Sequence, residues 1–332
     1  MQFGLFGGAT ADGGNPGAAP GQGFKEFVEF NVEAEALGYR STFQVEHHFT
    51  GWNQVSATLS LLTWVAARTR TLRLGTAVMV LPWHNPVLLA EQAATLDLLS
   101  DGRLDLGVGR GYRYNEFRGF CVAMDEAQAR FDETLDFLVK AWTTPGRFSH
   151  RGRYWQFDDI VVEPPTAQKP HPPIWMAAGS AESIRRVAER GFGLLLDQFA
   201  PVSVVGERIA LYRAEVEARG RKFDPLSVAV ARDAYVAAGK ADKLAALERN
   251  ARSRQRTVAV SQAPGRKGGS HVLGYEHTAE SNEAVGLVGS PDEIRGKLEA
   301  LRAAGAEYVL ASFAGSRDSL RRFAREIAPA FS

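Results

Sequence analysis

The 332-residue chain has a single cysteine, Cys121. One thiol makes neither an internal disulfide nor a thiolate metal cluster, and it suits a reducing compartment. An excess of either charge is also missing: 39 lysines and arginines stand against 38 aspartates and glutamates, a net charge of +1. That balance argues against the basic footprint of a DNA-, RNA- or anionic-membrane-binding protein. No run is apolar for the roughly 20 residues that a membrane span needs. The first residues, Met1-Gln2-Phe3-Gly4-Leu5-Phe6, lack a basic segment ahead of a long apolar stretch, so they read as a strand and not as a signal peptide. The expectation is a cytoplasmic globular protein with no nucleic-acid or membrane partner.

What is present alternates. Strand-like runs at Gln2–Phe6, Arg40–Val45, Leu72–Leu81, Leu104–Val108, Pro173–Ala178, Phe192–Leu196, Leu226–Ala237 and Glu307–Phe313 are separated by helical patterns. The run "LRLGTAVMVL" is nearly continuous in apolar residues, as expected of a parallel strand buried on both faces. Pro86 opens a helix where proline is favoured, and Gly102 lies just past its end. Eight strands alternating with helices predict an α/β protein, a single (β/α)8 TIM-barrel domain over 1–332. An open doubly wound sheet is the rival, but it rarely needs eight units. Three insertions interrupt the repeat, after strands 1, 4 and 7. They are the glycine-rich Gly7–Gly23, the hairpin-like Thr143–Pro172, and Gln255–Gly289, which has little periodicity.

Barrel active sites lie at the carboxyl ends of the strands. Four polar clusters fall there: "EHH" (Glu46-His47-His48), "LPWHNP", "GVGRGYRYNEF" and "AAGSAES". Successive side chains on an extended chain point to opposite faces, so His47 and His48 do not easily share one metal ion. Either one of them faces the barrel mouth or both pair with Glu46 and backbone. "GVGRG" misses the dinucleotide fingerprint, because Tyr112 stands where a third glycine belongs. Its glycines still admit a ligand close to the backbone, and Arg110 suits a phosphate. Gly179 and Ser180 open a helix whose first N–H groups and dipole favour an anion. An arginine and a helix start on one face, without basic charge elsewhere, point to a single phosphate.

With those residues in view, the chain resembles the bacterial luciferase-like flavin monooxygenase family. "LGYRSTFQVEHHF", "LRLGTAVMVLPWHNPVLLAEQ", "LSDGRLDLGVGRGYRYNEFRGF" and "VGSPDEI" carry the likeness in order and spacing. The resemblance implies reduced FMN bound in the barrel, dioxygen added at the flavin C4a carbon, and one oxygen atom passed to a substrate. By position, His47 corresponds to the family's catalytic histidine, a group that titrates near neutrality. Ala77 and Val78 correspond to a cis non-prolyl peptide under the flavin ring. Gly109, Arg110, Gly179, Ser180 and Ser183 fall at cofactor-holding positions, the last of them on the phosphate. The luciferase α-subunit has a reactive cysteine at Gly109, and a serine and a tryptophan where this chain has Asp197 and Gln198, so light emission is not expected.

Phe6, Trp52 and Tyr112, with Phe49 and Trp83, are expected to wall the substrate pocket, and Gln255–Gly289 to form a lid that keeps water out. No nicotinamide-binding unit is visible, which implies a separate NAD(P)H–flavin reductase as supplier of reduced FMN. A homodimer through helices two and three is expected, with Leu59, Leu62, Val65, Leu89, Leu96 and Leu99 as its apolar surface. The alternatives are a non-catalytic flavin-binding partner subunit, a deazaflavin-dependent oxidoreductase, and a metal-dependent barrel hydrolase.

Overall fold

The computed structural model describes residues 1–15, 17–262 and 271–332. Among them, eight parallel strands close into a ring: β1 (Gln2–Gly7), β2 (Ser41–Gln44), β3 (Arg73–Thr76), β4 (Leu104–Gly109), β5 (Ile174–Ala177), β6 (Gly193–Leu196), β7 (Val228–Val236) and β8 (Tyr308–Ser312). Neighbours in sequence pair in order, and β8 pairs with β1 to close the barrel. This is the TIM-barrel fold that the strand count predicts.

Helices α1 (Gln22–Ala36), α2 (Thr58–Arg68) and α3 (Pro86–Leu99) follow the first three strands. A short α4 (Tyr114–Gly119) and a long α5 (Ala127–Thr143) follow β4; α6 (Ala181–Arg190) follows β5, and α7 (Val202–Ala218) follows β6. Three helices, α8 (Lys240–Ser261), α9 (Ala279–Val285) and α10 (Pro291–Ala303), lie between β7 and β8, and α11 (Arg317–Arg322) comes after β8. The starts are written locally. Asn85 accepts the N–H groups of Val87 and Leu88 ahead of Pro86, and Ser290 with Glu293 forms a capping box around Pro291.

Two apolar layers hold the barrel. One lies between strands and helices, with Leu62, Leu89, Leu135, Val187 and Leu298 fully or almost fully buried. The other fills the barrel interior with Phe43, Trp175, Leu195, Ala229, Tyr308 and Leu310. Phe6, Ala77 and Val78 pack on this plug and form the floor of the cavity at the carboxyl ends of the strands. The interior is a packed core, not a pore.

Several boundaries differ from expectation. The run Leu72–Leu81 is not one strand: β3 stops at Thr76, the Ala77–Val78 peptide is cis, and a separate Met79–Val80 bridge pairs with β4. The helix expected over Ala241–Arg252 continues to Ser261, so the start of the Gln255–Gly289 insertion is helical. Its end is ordered too, as α9 and as the strand Leu287–Gly289 beside β7. The periodicity was weak because the buried face of α8 mixes Ala246, Leu247 and Ala251 with Arg254 and Ser261. The glycine-rich centre of the expected lid, 263–270, lies outside the described residues. Thr143–Pro172 does contain a hairpin, Phe148–Arg151 against Gln156–Ile160. Leu59, Leu62, Val65, Leu89 and Leu96 face the core of their own chain; the large apolar side chains exposed on α2 and α3 are Trp64, Leu88, Leu98 and Leu99. Among the described residues no helix is long and apolar enough to cross a membrane.

Candidate active site

A cavity of about 640 Å³ opens at the carboxyl ends of the strands. Residues following β1 to β7 line it, and Asn250, Ser253, Arg254, Thr257 and Val258 of α8 cover one side. The expected residues His47, Ala77, Val78, Gly109, Arg110, Gly179, Ser180, Ser183, Phe6 and Tyr112 all lie on this one surface. Trp52 does not: it sits under the Arg256 guanidinium, 4.9 Å from ring centre to charge. Phe49 and Trp83 also lie apart, packed with His48 and Phe120.

One end of the cavity is built for an anion. Arg110 is exposed at the tip of β4. Ser180 caps α6 and exchanges hydrogen bonds with Ser183, whose Oγ lies 2.9 Å from the Ser180 Oγ. The N–H groups of Ala181 and Glu182, in the first turn, have no acceptor within the helix and face outward with the positive end of its dipole. Arg186 lines the same end one turn further on and is only loosely paired with Glu182, at 3.8 Å. Sequence reading passed over Arg186, although its spacing of six from Ser180 places it near the start of the same helix.

The floor depends on β4 glycines. A Cβ at Gly107 would lie 1.8 Å from the Thr76 carbonyl oxygen, and one at Gly109 would lie 2.4 Å from Val78 Cγ2. Only glycine lets the Thr76–Val78 segment lie this close to β4. A cysteine at position 109 would collide with Val78, which gives the departure from the luciferase pattern a steric reason.

The other end carries the acid–base groups. His47 leaves β2 with 16% of its side-chain surface exposed. Its Nδ1–H donates to Glu116 Oε1 at 3.0 Å, and its Nε2 accepts from Arg113 Nη2 at 2.9 Å. A guanidinium only donates and a carboxylate only accepts, so this pair of contacts fixes the neutral Nδ1–H tautomer. Burial, and then the Arg113 charge, lower the pKa of His47 below its ordinary 6.5, while Glu116 opposes them. Glu116 also accepts the His48 N–H and so ties α4 to the end of β2.

His48 turns away. Its Nε2 donates to Glu46 Oε1 at 2.7 Å, and the same carboxylate receives His84 Nε2, Trp83 Nε1 and the Val80 N–H. Burial would raise the Glu46 pKa, but His48, His84 and Val80 bring it down to about 2. Glu46 therefore pins the loop after β2 to the loop after β3. The two histidines have divided roles: His47 faces the cavity and His48 the scaffold. Among the described residues no group of three His, Cys, Asp or Glu side chains is placed to hold a metal ion.

A model of the luciferase-like monooxygenase family matches residues 1–308. The chain belongs to that family. This luciferase-like protein is 27% identical over 332 aligned positions to the oxygenase component of the flavin-dependent trigonelline monooxygenase of Acinetobacter baylyi, covering 93% of this chain and 90% of that one. It is 39% identical to the protein y4vJ of Sinorhizobium fredii, but that match spans 51% of this chain and about half, 48%, of the relative. Among solved structures it is similar to the monooxygenase RslO1 of Streptomyces bottropensis, with 26% identity, full coverage of both chains and a TM-score of 0.85.

Proposed function

We propose that the chain is the oxygenase component of a two-component FMN-dependent monooxygenase. On this reading it inserts one atom of dioxygen into a small organic substrate, and a separate NAD(P)H–flavin reductase supplies the reduced FMN. The observation that carries the reading is one cavity with three parts in line: an anion-holding end at Arg110 and the start of α6, a flat floor at Ala77–Val78, and His47 at the far side.

The residues fit the cofactor. One arginine with two hydroxyls and a helix start make a donor set for a single phosphate, which favours a mononucleotide over a dinucleotide. Gly109 keeps the floor open to a planar ring, and Phe6 and Tyr112 stand beside it as apolar walls. Reduced FMN, when bound there, supplies the electrons that activate dioxygen. The chain's own part is to orient, to exclude water and to handle a proton. Phe199, Val258 and Leu273 give the covering side an apolar lining that favours a dry site. His47, neutral and fixed by Glu116, offers its Nε2 lone pair once Arg113 releases it, and so takes up or returns a proton beside the ring. We further propose that the protein is a homodimer through α2 and α3.

The test is cofactor binding followed by flavin fluorescence. Arg110→Ala is expected to weaken FMN about tenfold or more, the size of a lost charge-assisted contact, and to leave riboflavin nearly unchanged. Equal losses for both flavins would remove the phosphate contact, and with it the proposed orientation of the cofactor.

A further inference from the structure

Arg113 stands out among the buried cations. It lines the cavity and is only 4% exposed. One donor, Nη2, goes to His47, while Nε and Nη1 are buried with no hydrogen-bond partner. The other buried arginines are matched by groups of their own chain. Arg208 pairs with Asp197, Arg254 with Asp233 and Asn282, and Arg232 donates to the carbonyls of Asp197, Ala200 and Ala231. Arg113 has no carboxylate in ion-pair contact among the described residues; Glu116 reaches it only across the imidazole. A buried guanidinium with open N–H groups is costly unless something completes it.

We propose that the substrate completes it: the cavity takes a small organic anion, a carboxylate in the simplest case, whose acidic group pairs with Arg113. This rests on reading the cavity as the oxygenase site. The phosphate donors do not compete for the role, because Ser180 and Ser183 begin α6 after β5, three strands around the ring from the His47 tip of β2. Guanidinium and carboxylate are complementary in charge and shape, and their pairing is among the stronger polar contacts in a dry site. The anion would also draw Arg113 toward itself and free Nε2 of His47, coupling substrate arrival to the availability of the base.

The test titrates the protein, with and without FMN, with two probe pairs of different size: acetate against acetamide, and benzoate against benzamide. Isothermal calorimetry is expected to show at least one carboxylate binding about tenfold or more tightly than its amide. Arg113→Met is expected to bring that ratio to about one, and Arg113→Lys to keep part of it. Arg113→Gln, which can still donate to His47, serves as the charge-free variant should the methionine protein fail to fold. No preference for either carboxylate in the wild type, or a preference that survives loss of the charge, would overturn the proposal. So would Arg113→Gln weakening FMN about tenfold while leaving the anion preference intact, since Arg113 would then serve the cofactor. If the wild type fails to bind FMN, the oxygenase reading falls, while the anion preference is still read on the FMN-free protein.

Discussion

His47 is held between charges of opposite sign, and the balance decides its protonation. Burial and Arg113 keep the imidazole neutral, and Glu116 favours the imidazolium. Arg113→Gln is therefore expected to raise the His47 pKa and Glu116→Gln to lower it, as followed by NMR of the labelled ring; shifts in the reverse sense would refute the assigned hydrogen-bond chain. A depressed pKa in the folded state means that the unfolded chain takes up the proton first. The His47 contribution to stability is thus full above about 6.5 and is lost as pH falls toward the folded-state value. The "EHH" run made a histidine at the barrel mouth legible, because strand tips and alternating side chains follow from the pattern. Arg113 and Glu116 were not legible. They flank a six-residue helix that shows no apolar stripe, and only their spacing of three hints that both face one side of a turn.

At the scale of elements, the site depends on how closely β3 and β4 approach. Gly109→Ala places a methyl group against Val78, whose branched side chain has no flexible end to swing aside. The expected outcome is a stability loss of about 1–3 kcal/mol by urea unfolding, with weaker FMN binding because Val78 is forced into the floor of the cavity. An alanine variant as stable as the wild type would show that the two strands separate easily. The eight barrel strands could be read from sequence because each is buried on both faces and stays apolar along its length. The break at Ala77–Val78 could not be read from that pattern, since the run remains apolar straight through it. The covering helix α8 was under-read for the opposite reason. It presents Asn250, Ser253, Arg254 and Thr257 to a polar cavity, so its buried side does not look buried.

The whole molecule leaves one apolar surface without a partner in its own chain. Leu88 and Leu99 of α3 are 56% and 62% exposed, and Trp64 of α2 and Leu98 lie on the same pair of helices. A spacing of eleven residues returns nearly to the same helical face, so Leu88 and Leu99 form one stripe with Gln92 and Thr95 between them. The leucines first read as the dimer surface proved to be core, because a stripe facing the barrel and one facing a partner have the same period. Only the exposed set can serve a second copy. Light scattering on the purified protein is expected to give twice the chain mass of 36.2 kDa, and Leu88→Asp with Leu99→Asp is expected to give the single-chain value with FMN binding retained. A wild type that runs at the single-chain mass, or a double variant that stays paired, would place the contact elsewhere or remove it. Each barrel carries its own His47, Arg110 and Arg113, so separation of the copies would leave every cavity lining intact.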